Sequence, residues 1–270
     1  MLAGGFELVR IDTRERTFVD SPAPAQFGFG AGGLWSLAGG ALHWMSEAGR
    51  CLADNFVGDG ASGLAVSRGA LPAVTLSVGD DRLQLVELFD GELFATDIDW
   101  VRAQFVSPIL QPIGPRTLAV GGPEALCLVH VDRGTLWSHM LPAGGSLRAA
   151  TALFAGTSVA AIIDGPRPVL WVLSPTGEPL LGIDICRPDV FAVAEDRGVV
   201  LLGTGKTLCA IDLLDDARIY WTEVPFVPDA LDTCGRGREI VLAQRIGDRS
   251  RVWHAGFVEV FRTELAGRSR

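Results

Sequence analysis

The single lysine of the chain, Lys206, sits in Gly203-Thr204-Gly205-Lys206-Thr207, a string that looks like a phosphate-holding loop. Such a loop needs a glycine four intervening residues ahead of its Gly-Lys pair. It also needs a helix opening directly behind, so that backbone amides and the helix N-terminus face the phosphates. The required position is occupied by Val200, and Thr207 to Asp212 (TLCAID) is apolar and β-branched, a strand rather than a helix start. The string therefore reads as the turn of a β-hairpin.

Carboxylates form the next candidate. Asp54, Asp97, Asp99, Asp184, Asp189, Asp229 and Asp232 recur at the junctions between strand-rich stretches, and Asp189 and Asp229 each follow a proline. Oxygen ligands converging from several loops suit a hard cation such as Ca²⁺, which makes Asp184, Asp189, Asp229 and Asp232 the candidate metal set. The plainer role for Asp and Pro at such places is to build turns and cap exposed amides. The four histidines, His43, His130, His139 and His254, show no metal-ligand spacing, and no Gly-x-Ser-x-Gly nucleophile motif occurs. Cys127 and Cys209 alternate with apolar neighbours and read as small core fillers. Trp100, in TDIDWVRAQF, falls between strand-rich units beside Asp97, Asp99 and Arg102, and with them makes a candidate contact spot for a partner.

These residues need a scaffold, and the chain repeats. FELVRID, ALHWMSE, RLQLVELFD, ALCLVHVD, VLWVLSP, TLCAIDL and RVWHAGF align on Leu8, Leu42, Leu83, Leu126, Leu170, Leu208 and Val252, at intervals of 34 to 44 residues. That interval is the length of one four-stranded propeller blade. Several anchor strands are preceded by a β-rich run ending in a glycine-containing turn and followed by a turn and another strand. No long helical periodicity occurs. The expected architecture is an all-β, β-propeller domain over residues 1–270. Its repeat units are 26–56, 61–99, 104–142, 148–185, 189–225 and 229–265, with a hairpin over 6–20. Six complete units plus that hairpin favour seven blades, the hairpin closing the ring with the C-terminal region; six blades with an extra hairpin is the alternative.

Gly205, Leu208, Ala210, Ile211, Asp212 and Trp221 in GKTLCAIDLLDDARIYW resemble the repeat of quinoprotein-type β-propellers, whose blades read Gly-x-Leu-Tyr-Ala-Leu-Asp, then a turn and Trp. Leu126, Leu128, Val129, Gly134 and Trp137 repeat the pattern, and Pro175 to Glu178 keeps its turn. The resemblance implies the fold. The adjacent cysteine pair beside the quinone in that family has no counterpart here, nor do the Gly-His and Trp-Asp dipeptides of WD repeats, so no quinone cofactor is carried over.

Composition narrows the function. A formal charge of −9 with no basic stripe disfavours nucleic acid. The most apolar run, Ala149 to Ile163, is too short and broken for a membrane span and fits two buried strands. Five scattered cysteines and an N-terminus without a secretory pattern point to free thiols in the cytoplasm. The resulting expectation is a non-catalytic binding or accessory module. It would use Trp100, Asp97, Asp99, Arg102, Asp189 and Asp229 to hold a protein or peptide partner at the mouth of the propeller channel, without a cofactor. A small metabolite could use the same face. The alternative is a metal-assisted hydrolase, lactonase or isomerase with a carboxylate-lined channel.

Overall fold

A computed structural model describes residues 5–9, 16–20, 26–30, 33–46, 50–58, 60–66, 73–79, 82–100, 109–154, 158–194, 197–234, 237–247 and 249–261. The fold is an all-β propeller of six blades. Strands β1 (Gly5–Val9) and β2 (Arg16–Asp20) pair with each other in a two-stranded sheet. Blade one is β3 (Gln26–Gly30), β4 (Gly33–Ala38), β5 (Ala41–Met45) and β6 (Cys51–Phe56). Blade two is β7 (Ala61–Val66), β8 (Ala73–Val78), β9 (Arg82–Phe89) and β10 (Glu92–Ile98). Blade three is β11 (Ile109–Gly114), β12 (Thr117–Gly121), β13 (Ala125–His130) and β14 (Gly134–Met140). Blade four is β15 (Ser146–Leu153), β16 (Ser158–Asp164), β17 (Val169–Leu173) and β18 (Pro179–Asp184). Blade five is β19 (Val190–Ala194), β20 (Val199–Thr204), β21 (Thr207–Asp212) and β22 (Arg218–Glu223). Blade six has three strands, β23 (Ala230–Cys234), β24 (Glu239–Ile246) and β25 (Arg249–Gly256), followed by a short helix α1 (Phe257–Val260).

The seven-bladed expectation is thus corrected to six. The N-terminal hairpin satisfies its ladder internally, Gly5 to Val9 against Asp20 to Arg16, and among the described strands pairs with no blade. Two strands bury too little surface to act as a blade alone, so the hairpin is an addition to the six.

The chain falls into two compact units, 1–150 and 151–270. In the first, Trp35, Leu37 and Leu42 of blade one pack with Val74, Leu76 and Val86 of blade two. The other face of blade two, with Leu83, Leu85 and Ile98, packs on Leu118, Val120 and Cys127 of blade three. In the second, Leu170 and Val172 of blade four meet Leu202, Cys209 and Ile211 of blade five. The reverse face of blade five, with Leu201, Leu208 and Ala210, meets Leu231, Ile240 and Leu242 of blade six. Because side chains alternate along a strand, the middle strands of blades one to five carry apolar side chains on both faces, and each such face needs a neighbouring sheet to cover it.

The repeat anchors confirm this and reveal one exception. Leu42, Leu126, Leu170 and Leu208 are 0% exposed and Leu83 1%, whereas Val252 is 51% exposed. The positions are equivalent in backbone terms. Leu208 pairs with Gly203, whose carbonyl accepts the Asp189 amide; Val252 pairs with Ala243, whose carbonyl accepts the Asp229 amide. Leu208→Ala should therefore cost about 2–5 kcal/mol, and Val252→Ala about 0.5 kcal/mol or less. Denaturant unfolding of the two variants checks this, and equal losses would contradict it.

Candidate functional site

The stretch that resembled a phosphate loop is a hairpin turn. Thr204 pairs with Thr207, so Gly205 and Lys206 form a two-residue loop, and Gly205 has φ +55, a conformation that favours glycine. Its amide already has an anionic partner, donating to Asp189 Oδ2 at 2.9 Å. Blade six repeats the device: the Arg245 amide donates to Asp229 Oδ2 at 2.6 Å. Pro188 and Pro228 set the approach to each aspartate, fixing the backbone angle just before it. Each carboxylate thus ties the start of a blade's first strand to the end of its second.

The other candidates lie apart. Asp97 is exposed on β10, the last strand of blade two, and accepts from Gln84 Nε2 at 2.9 Å. Asp184 is exposed at the end of β18, the last strand of blade four. Asp99 is exposed, and its carbonyl lies where a side chain at Gly134 would fall. Trp100 is only 8% exposed: two residues after the inward-facing Ile98, it follows the strand's alternation into the cluster with Leu83, Leu118 and Val129. Arg102 lies outside the described residues. Asp232 is in β23, and its Oδ1 accepts the Thr233 amide at 2.7 Å.

Asp232 belongs to a constellation that the sequence reading did not assemble. On one face of blade six, Cys234 pairs with Glu239, and Val241 pairs with both Asp232 and His254. The equivalent positions in blade five are Ala192, Ala194, Val199, Leu201 and Ala210, all at most 6% exposed. Where blade five has a core face, blade six presents Asp232, Cys234, Glu239 and His254. The Cys234 thiol donates to Glu239 Oε2 at 3.1 Å, and His254 Nε2 lies 3.2 Å from the same oxygen. Cys234 Sγ and His254 Nε2 are 3.9 Å apart. Glu239 Oε2 is the shared vertex. Burial first, then the Glu239 hydrogen bond and its negative charge, push the Cys234 thiol up to about 11. Hydrogen bonds from Cys234 and then His254 hold Glu239 below the usual carboxylate range. The signal that could have found this set is the repeat alignment itself, which places three ligand-type residues at positions that are apolar one blade earlier.

No protein-family model matches the chain, and no curated protein matches it. Among solved structures, it is similar to the β-propeller domain of Cps50 (Swd1) from Myceliophteria thermophila. The identity is 9%, covering 93% of this chain and 91% of that one, with a TM-score of 0.71. It is also similar to Kuenenia stuttgartiensis hydrazine synthase, at 10% identity, covering 93% and 89%, with a TM-score of 0.73. At these identities the likeness carries the fold alone.

A thiol held above its ordinary value favours folding at pH below that value, and the contribution is lost as pH climbs towards the folded-state value. For Cys234 this window runs from 9.0 to about 11. Alkylation of Cys234 at about pH 8 should lag that of exposed Cys186 and rise with pH, while Glu239→Gln should shift the rise to lower pH. Peptide mass spectrometry after iodoacetamide pulses reads both; an unchanged profile in the Gln variant would show that Glu239 does not restrain the thiol.

Proposed function

We propose that the protein is a non-catalytic binding module that takes an extended, acidic segment of a partner protein as a fourth strand along β25. The observation that carries this reading is the open blade: five blades have four strands, and blade six has three among the described residues. A strand without a neighbour presents a row of amides and carbonyls that an incoming segment can pair with. β25 is eight residues long, enough for several such pairs, and Val252 at its centre offers an apolar contact.

Charge selects the partner. In a chain of net charge −9, β25 carries Arg249 and Arg251 and no acidic residue, with Arg245 just before the hairpin tip. Arg251 is placed by its guanidinium, 5.4 Å from the centre of the Phe226 ring. Two such edges repel each other, which discourages self-pairing, whereas an acidic segment is attracted. The use of Asp189 and Asp229 on backbone amides fits a scaffold role for those carboxylates.

Selection from displayed random peptides should enrich acidic, extended sequences. Binding should raise hydrogen-exchange protection in residues 249–256. Combined Arg249→Glu and Arg251→Glu substitution should weaken binding by about tenfold or more in a protein whose circular dichroism spectrum stays that of the folded chain. Selected peptides that protect another strand, or that bind the charge-reversed protein equally well, would overturn the reading.

A further inference from the structure

We propose that Cys234, Glu239 and His254 form a binding site for a divalent transition metal of borderline softness, Zn²⁺ above all. This site is independent of any partner strand on β25. Thiolate sulfur, imidazole nitrogen and carboxylate oxygen are the zinc ligand types, with bonds of about 2.3, 2.0–2.1 and 2.0–2.2 Å. Tetrahedral angles with those bonds place the donors about 3.3–3.6 Å apart. The three donor separations here are 3.1, 3.2 and 3.9 Å. All three atoms therefore stand within a few tenths of an ångström of one coordination sphere, before any rotamer changes. The groups come from three adjacent strands of one sheet, β23, β24 and β25, so the backbone ladder fixes their spacing.

Two alternative uses of the cluster fit less well. A cysteine–histidine nucleophilic relay has the base between thiol and carboxylate, each on a different ring nitrogen. Here thiol and imidazole meet the same carboxylate oxygen, and the same ring nitrogen, Nε2, faces both partners. A simple polar cap on an outer face would require only polarity. Mixed thiol, imidazole and carboxylate aimed at one point are more than that requires, particularly at positions that are Ala194, Val199 and Ala210 in blade five. Gly256, opposite Glu239, adds no side chain of its own beside the cluster, and the fourth ligand would be water or Asp232, on the same face as Cys234. Binding exchanges the thiol proton for the metal, so uptake releases one proton from Cys234 to solvent.

The test uses the full chain, stripped with a chelator and titrated with Zn²⁺ by calorimetry and by native mass spectrometry. One zinc per chain is expected, with Ca²⁺ failing to compete. Co²⁺ should give a thiolate-to-cobalt charge-transfer absorption. Cys234→Ser should abolish that absorption, and His254→Gln should weaken zinc binding by more than about 100-fold, beyond the loss of an outer-sphere partner. Asp189→Ala, Asp229→Ala and the Arg249/Arg251 charge reversal should leave the metal in place, which separates this site from the strand-docking reading. Circular dichroism identifies any variant that fails to fold, and the cobalt spectrum of the unsubstituted protein then decides. No charge-transfer band there, or zinc uptake unchanged in folded Cys234→Ser and His254→Gln proteins, overturns the proposal.

Discussion

A four-stranded sheet with apolar side chains on both faces cannot be left bare, and that requirement organises this molecule. Leu42, Leu83, Leu126, Leu170 and Leu208 recur because each blade must present a large apolar residue at the same place, where the adjoining sheet removes it from water. Burying one such side chain is worth about 1.5–3 kcal/mol, so the face-to-face stack, rather than any one ladder, holds the blades together. Blade six meets the requirement on one face, through Leu231, Ile240 and Leu242, and departs from it on the other.

The departure changes what the surface can do. An apolar side chain in water carries no instruction about what should cover it, whereas Cys234, Glu239 and His254 carry a chemical one. A single carboxylate oxygen serves both a thiol and an imidazole, an arrangement that crowds polar groups at positions that blade five fills with Ala194, Val199 and Ala210. The blade tolerates it because, among the described residues, that face joins none of the apolar clusters, and Val252 on it is 51% exposed.

Much of the fold was legible because it rests on short-range pattern repeated many times. The run Leu201 to Asp212 is one hairpin, with Gly205 at its turn, and the spacing of the anchors marked the blades. The blade count was not legible, since a sequence does not say whether the hairpin at 5–20 pairs with itself or with another sheet; only its ladder does. The burial of Trp100 is masked in the sequence by its polar neighbours Asp97 and Asp99, although it shares the parity of Ile98 and so turns inward. Asp189 and Asp229 stood out by position, but their amide partners lie 16 residues on and become visible only when the strands pair. The Cys234–Glu239–His254 set was missed because spacings of 5 and 15 residues match no familiar ligand motif, and the sheet register alone brings them together.

The two aspartate clasps also bear on how such a chain can change. Asp189 and Asp229 lie 40 residues apart, as do the carbonyls of Gly203 and Ala243 that their amides bind. Past the clasp the blades diverge, since Leu208 and Val252 are 44 residues apart: blade six has a hairpin longer by 4 residues. The clasp pins the ladder below the hairpin tip, so residues can be inserted above it without shifting the register of the strands underneath. Blades five and six thereby each have a site where length can vary independently of the core, and recognition loops can diversify there while the sheets beneath stay as they are.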